Sequence, residues 1–341
     1  MTIRDVAAHA GVSIATVSRV MRGTAPVAPE TRRRVLATVN ELRFTPSSLG
    51  RSLAEGRHAA NGIVFPDLSG PYYAEVILGY EEVAGELGQS VLILSTRGRP
   101  DAPEMVLDLA GRVDGLVILG RTVSDEVVTE IVARGTPVVL VARPGTEGVD
   151  SIQAENRHSA AILTRHVLGH GARRMVFLGD ADRSADASER WTGMRNALSQ
   201  AGLELEEPIP AGFSEEAGWQ AAPDLTAAGL PDAVVCANDE LALGLIGGLT
   251  ALGIEVPDEV AVTGWDDVMA ARYCGLTTVE QPVRELGAQA ARVLDRRIRG
   301  DDGPASHEVL ATRLVVRHSC GRHRNDPIHG ADNPRQRKES P

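Results

Sequence analysis

Between Ile3 and Phe44, apolar residues recur at helical spacing. Ile3, Val6, Ala7 and Ala10 form the first set, opened by Thr2 with Asp5 three residues on, a pairing that suits an N-terminal cap. Gly11-Val12-Ser13 breaks this pattern: Gly11 fits a left-handed turn and Ser13 can cap a second helix over 14–21. Gly23 and Pro26 end that helix, and Pro29 opens a third that runs through Val35, Leu36, Val39 and Leu42 to about Phe44. Helix, tight glycine turn and helix is a helix-turn-helix spacing, so residues 1–45 are predicted to form an all-α head. Thr45-Pro46-Ser47-Ser48 punctuates the chain, and 49–54 can make one or two helical turns that are too short to persist alone in water. Residues 46–58 are predicted to be a hinge that orders on contact.

From residue 59 the period changes. Short β-branched runs at 62–65, 91–94, 115–119 and 138–141 alternate with amphipathic stretches at 74–88, 103–111 and 125–134. After Ile152 the alternation restarts, with helices at 157–168, 189–201, 216–228 and 239–252. Between them fall strands at 175–178, near Ile209, at 233–236 and at 260–263. Such alternation predicts an α/β class with parallel sheets, and two runs of it predict two similar subdomains. Ligands of such sheets bind at the carboxyl ends of the strands. Residues 322–341 carry no apolar periodicity and are predicted to be a disordered tail.

Composition adds two constraints. With 341 residues, 43% hydrophobic and 24% charged, the chain can bury a real core and is long enough for two or three domains. No apolar run is long enough to cross a membrane, and Arg4, Asp5 and His9 stand where a signal peptide would place its apolar stretch, so a cytoplasmic protein is predicted. Cys236, Cys274 and Cys320 are odd in number and widely spaced, which fits neither a disulfide framework nor metal-ligand pairs and predicts reduced thiols. The net charge of −11 conceals an asymmetry: residues 1–58 hold nine arginines against four acids. An Arg-rich head on an acidic body makes nucleic acid the first partner to expect.

Two other patterns carry no chemistry. Asp180-x-Asp182-x-Ser184-x-Asp186 resembles the start of a calcium loop, but Ala185 and Trp191 replace the required glycine and bidentate glutamate, leaving a polar loop. Gly244, Gly247 and Gly248 lie inside a helical stretch without a phosphate-binding turn. No GxSxG elbow, HExxH, P-loop or CxxC occurs, so no catalytic residue, metal site or cofactor is predicted and an enzyme is disfavoured. A secreted transport receptor is disfavoured by the Arg-rich head.

The order of motifs resembles one family. Thr2 to Ala7, Gly11-Val12-Ser13, Thr16 to Val20, Pro29 to Arg32 and Arg51-Ser52-Leu53 look like the DNA-binding head and hinge of the lactose/galactose-repressor family of bacterial transcription regulators. Gly169-His170, Glu189 to Gly193, Cys236 to Glu240, Gly264 to Asp267, Thr277 to Val279 with Gln281-Pro282, and Arg317 to Gly321 are similar to its effector-binding core, in the same order. The resemblance spans roughly residues 2 to 321. It implies a ligand-responsive, sequence-specific DNA-binding regulator, most often a repressor, with a core like periplasmic binding proteins. That core would comprise one subdomain over 59–156 plus 284–310 and a second over 157–283 plus 311–321.

The second helix would enter the major groove, where Arg19 can pair bidentately with guanine and Ile14 and Ala15 can meet a thymine methyl. Thr16 and Ser18 are expected at phosphates, and Thr2, Ser13, Arg22 and Arg51 complete the expected DNA-contact set. The resemblance assigns Leu53 the role of a minor-groove wedge. In the core, Tyr72, Tyr73 and Arg121 follow strand ends, and the resemblance turns Arg190, Phe213, Asn238, Asp266 and Gln281 toward the ligand. Charged groups, an amide and aromatic faces suit a small polar effector such as a sugar or sugar derivative. Ala142 stands after the fourth strand, where many sugar-responsive members carry an acid. A single recognition helix gives little affinity, so a homodimer on a pseudo-palindromic operator is expected, and Pro327 and Pro334 disfavour a coiled-coil tetramer.

Overall fold

The structure is a computed structural model that describes residues 1–23, 25–44, 58–204 and 206–321. The expected hinge contacts Arg51 and Leu53, and the tail 322–341, lie outside the described residues. Contacts divide the chain into two compact units, one of Met1–Ala60 joined by Arg112–Asp114 and the other of the rest.

The head is three helices, α1 (Ile3–Ala10), α2 (Ile14–Arg22) and α3 (Pro29–Glu41), the last ending three residues before the predicted Phe44. Thr2 and Asp5 form a reciprocal capping box on α1, and Gly11 closes that helix at φ 61°. This left-handed turn turns the chain tightly enough for Ser13 to cap α2, where its hydroxyl accepts from Thr16 N–H at 3.2 Å. Val6, Ala7, Ala10, Val17, Val20 and Val35 are buried together, which gives three short helices a core that none has alone.

The core runs β1 (Ala60–Phe65), α4 (Pro71–Glu86), β2 (Ser90–Ser95), α5 (Ala102–Ala110), β3 (Gly115–Leu119), α6 (Asp125–Ala133), β4 (Val138–Val141) and β5 (Asp150–Ala154). It continues through α7 (Arg157–Gly169), β6 (Met175–Leu178), α8 (Ala185–Gln200), α9 (Glu215–Ala227), β7 (Ala233–Cys236), α10 (Asp239–Ala251), β8 (Ala261–Thr263) and α11 (Met269–Cys274). It closes with β9 (Thr278–Glu280), α12 (Val283–Ile298), β10 (His307–Leu310), β11 (Arg313–Val315) and a short 3-10 turn at His318–Cys320. Among the described residues no helix is long and apolar enough to cross a membrane.

One sheet has six strands in the order β10-β5-β4-β3-β1-β2 and another has three in the order β6-β7-β8; β9 and β11 form an antiparallel pair. The registers β1/β3, β3/β4, β4/β5 and β5/β10 in the first sheet, and β6/β7 and β7/β8 in the second, are all parallel. The strand expected near Ile209 reduces to a single bridge with Leu178. Each sheet has its own apolar cluster, one around Ile63, Val117, Val139 and Leu294 and the other around Phe177, Val235, Leu245 and Trp265. The chain passes between the sheets at 154–157, 280–283 and 310–313.

Helix crossings explain the glycines that resemble nucleotide loops. A Cβ on Gly244 would lie 1.8 Å from the Glu215 carbonyl oxygen, and one on Gly218 would lie 2.1 Å from that of Leu241. These glycines let α9 and α10 meet backbone to backbone. Gly79 and Gly287 do the same for α4 and α12, at 1.9 Å from Arg284 O and 2.0 Å from Val76 O.

Candidate functional sites

In the head, burial sorts the residues of α2. Val17 and Val20 face inward, whereas Ile14, Ala15 and Arg19 are exposed, with Ile14 showing 44% of its surface; Thr16 and Ser18 are half-buried. On an ideal helix Ile14, Ala15, Ser18 and Arg19 fall within an arc of roughly 140°. The first turn of α2 holds no acid to oppose a phosphate at its positive end. Arg4, Arg32, Arg33 and Arg34 on the other helices are exposed. Thr2 and Ser13 serve first as caps: Thr2 N–H donates to Asp5 Oδ2 at 2.7 Å and Ser13 Oγ lies 2.9 Å from Thr16 Oγ1. Thr2's N–H, with its hydroxyl, also holds the Asp5 carboxyl below the usual carboxylate range.

The second site lies where the two sheets of the core meet. Pro71 starts α4 three residues earlier than predicted, so Tyr72 and Tyr73 belong to its first turn, not to a preceding loop. Their rings meet edge to face at 5.4 Å, and Tyr73 meets Phe65 in the same way at 5.5 Å. The Tyr72 hydroxyl is driven well above its ordinary pKa by burial, reinforced by the charges of Asp186 and Asp266. A Cβ on Gly70, in the loop before α4, would lie 2.6 Å from Glu240 Oε1, so this loop touches the start of α10 from the opposite subdomain.

Arg190 is 6% exposed on α8. Its Nε donates to Asn156 Oδ1 at 2.8 Å, its Nη1 to Ala237 O at 2.6 Å, and its guanidinium lies 4.6 Å from the centroid of the Trp265 ring. The carboxylate paired with it is Asp186, one turn earlier at 3.9 Å, and Asn156 Nδ2 donates to that same carboxylate at 3.0 Å. Asp186 was predicted to be part of a polar loop; Ser184 instead caps α8 there, because its hydroxyl accepts from Ala187 N–H at 3.2 Å. Arg190 and Asp266 both sit on the second sheet's side of the core.

Asp266 follows β8 with φ 113°, and Asp267 has φ 57°. Two successive non-glycine residues at positive φ are a costly backbone, stabilised here by Asp266 N–H donating to Val279 O at 2.9 Å and by Asp267 pairing with Arg317 at 2.6 Å. Gln281 Nε2 donates to Asp266 Oδ1. Burial pushes the Asp266 carboxyl well above the usual range, only partly opposed by the Arg190 charge. Behind it, burial raises Asp239 to about 7 even though it accepts from Thr278 Oγ1 at 2.6 Å and from Val268 N–H at 2.8 Å. Asn238 caps α10 with Oδ1 and donates through Nδ2 to Phe213 O and Glu240 Oε2, both at 2.9 Å. Phe213 itself stays 39% exposed.

The structure thus brings Tyr72, Tyr73, Arg190, Asn238, Asp266 and Gln281 together. It does not bring Arg121 to them: Arg121 is exposed in another groove with Arg99, Asp125 and Arg143. Asn156, Asp186, Trp265 and the Ala237 carbonyl were not predicted as site residues. Trp265 sits inside the quoted Gly264 to Asp267 motif, which was the available signal. Three buried polar atoms here have no hydrogen-bond partner, Tyr72 Oη, Trp265 Nε1 and Gln281 Oε1. Buried polar groups are ordinarily satisfied, so these orphans mark capacity for a polar molecule.

Two stretches of the chain match known families. Residues 2–47 match the family described as bacterial regulatory proteins, lacI family, and residues 164–320 match the periplasmic binding protein-like domain. The chain is 31% identical over 325 residues to catabolite control protein A of Staphylococcus xylosus, covering 93% of this chain and 98% of that protein. It is 32% identical over 329 residues to the HTH-type transcriptional repressor PurR of Histophilus somni, covering 93% and 98%. Among solved structures, a lac repressor dimer bound to operator and the anti-inducer ONPF superposes with a TM-score of 0.85 at 26% identity, covering 94% and 99%. A complex of the transcriptional regulator CelR with cellobiose gives 0.71 at 30% identity, covering 94% and 99%. These relatives are transcriptional regulators, not enzymes, and the chain belongs with them to the lacI family of bacterial regulatory proteins, as a DNA-binding regulator of transcription.

Proposed function

We propose that the protein is a cytoplasmic repressor of carbohydrate-related genes that binds a pseudo-palindromic operator as a homodimer and releases or holds it according to a small polyhydroxyl effector. Ile14, Ala15 and Arg19 read bases in the major groove, Thr16 and Ser18 meet phosphates, Leu53 enters the minor groove, and Thr2, Ser13, Arg22 and Arg51 complete the DNA contacts. The effector lies between a subdomain of 59–156 plus 284–310 and one of 157–283 plus 311–321. Tyr72, Tyr73, Arg190, Asn238, Phe213, Asp266 and Gln281 surround it. The observation that carries this reading is the set of unsatisfied buried groups on Tyr72, Trp265 and Gln281 beside the buried Arg190 and Asp266. Vicinal hydroxyls both donate and accept, which is what a phenol, an indole N–H and an amide oxygen require together. Support also comes from the cellobiose bound by CelR and the operator bound by the lac repressor dimer.

The test begins with a thermal-shift screen of sugars, sugar phosphates and nucleosides, since a ligand that binds only the folded state raises its melting temperature. Isothermal titration of the hit then compares wild type with Arg190→Ala and Asp266→Ala. Each variant is expected to lose about 2–5 kcal/mol of affinity, roughly 30-fold to several thousand-fold, while operator binding without effector persists. Wild-type affinity in both variants rejects the assignment.

A further inference from the structure

His166 and His170 lie four residues apart at the carboxyl end of α7, where His170 is the capping residue. The turn His318–Cys320, which ends the described chain but for Gly321, returns to this helix end. His166 Nε2 stands 3.2 Å from His170 Nε2 and 3.4 Å from Cys320 Sγ, and the three ligand atoms all fall within 4.8 Å of one another. The two imidazoles are set nearly perpendicular, at 82°. The wide spacing of the cysteines predicts no metal pairing, because it counts cysteines alone; here the fold joins one cysteine to two histidines of a distant helix, His166 lying 154 residues before Cys320.

We propose that His166, His170 and Cys320 form a binding site for one zinc-class divalent ion, with water completing its coordination. Zinc takes nitrogen at ~2.0–2.1 Å and sulfur at ~2.3 Å in tetrahedral geometry, which sets neighbouring ligand atoms ~3.3 Å apart for two nitrogens and ~3.6 Å apart for nitrogen and sulfur. Two of the three sides of the site already have these lengths, and rotation of the exposed His170 ring closes the third. A thiolate with two imidazoles selects a borderline or soft ion over magnesium or calcium, which prefer oxygen. Cys320 is buried, His166 half-buried and His170 exposed, so the site runs from the interior to the surface of the core. Thr277 Oγ1 lies 3.0 Å from Cys320 Sγ and can donate to the thiolate, the outer partner that metal-bound sulfur commonly has. On binding, the cysteine S–H bond breaks, its proton passes to solvent and the sulfur lone pair goes to the metal. The ion fastens the end of the core to α7 and leaves the effector cleft untouched.

Cobalt reports this site directly. The reduced, metal-stripped full-length protein titrated with Co²⁺ is expected to bind one equivalent, with thiolate-to-cobalt charge-transfer absorption and the visible bands of a tetrahedral ion, both erased by Zn²⁺. Cys274→Ser is expected to keep these bands, Cys320→Ser to lose the charge transfer, and His170→Ala, whose ring is exposed, to bind at least about tenfold more weakly. A folded, reduced wild type without charge transfer overturns the proposal. So does a His170→Ala protein, folded by circular dichroism, that binds cobalt as tightly as wild type.

Discussion

Asp239 holds a proton at a pH where an exposed aspartate has long lost it. Burial pushes its carboxyl up to about 7, against the hydrogen bonds from Thr278 and Val268, so the folded chain keeps a proton that the unfolded chain releases near the ordinary value of about 3.9. Its contribution to stability is therefore complete below about pH 4, is lost as pH rises toward 7 and is absent above that. Asn has the shape of the protonated acid and does not titrate. From pH 5 to 7.5 the effector-free wild type is expected to lose on the order of 1–3 kcal/mol more stability than Asp239→Asn, read from melting curves at both pH values. Parallel losses would remove Asp239 from the account. On the head, Arg19→Ala is expected to weaken operator binding by about 1–3 kcal/mol and relax preference at one base pair per half-site, because a bidentate base contact goes while phosphate contacts stay. Equal weakening on operator and random DNA in a binding titration would mean that Arg19 reads no base.

At the scale of elements, the strands that could be read were those with a continuous apolar run, whether buried like 115–119 or partly exposed like 91–94. The strands 115–119, 138–141 and 233–236 are continuous β-branched or apolar runs because both faces of a parallel sheet are covered, and each is fully buried. The strand at 307–310 alternates exposed and half-buried residues, and β9 and β11 have three residues each, so none offers an apolar run to read. Asp186 hid for another reason: acids at 180, 182 and 186 look like loop, and only the Ser184 cap places the last of them in a helix. The motifs in Glu189 to Gly193 and Gly264 to Asp267 made Arg190 and Asp266 legible, whereas Asn156 meets Arg190 only through tertiary structure, 34 residues away. Packing between helices is equally specific. Gly287→Val is expected to destabilise the core by about 1–3 kcal/mol or more, since its Cβ would strike the α4 backbone at Val76, with the loss measured as a lower urea midpoint. An unchanged midpoint would show that α4 and α12 separate without cost.

For the whole molecule, the three passages between sheets mean that neither half of the core is one continuous stretch of chain. Helix α12 packs among the elements of the first sheet, and its Arg297 grips Asp150 at the start of β5 through two hydrogen bonds of 2.7 and 2.9 Å. Any change in the angle between the halves is shared by all three passages, a construction suited to transmitting cleft closure as a unit. Linkage then makes the relation reciprocal: an effector that weakens operator binding is held more weakly by the operator complex, by the same factor.

The edge strand β10 has a consequence for how the protein is made. It pairs His307 to Leu310 with Ser151 to Ala154, so the first sheet stays one strand short until nearly the whole core has been translated. At ~5–20 residues per second, the ribosome needs roughly 8 to 30 s to travel from β5 to β10. Through that interval β5 lacks the partner strand that covers its outer edge in the finished fold, and an uncovered strand edge is a template for pairing with another chain.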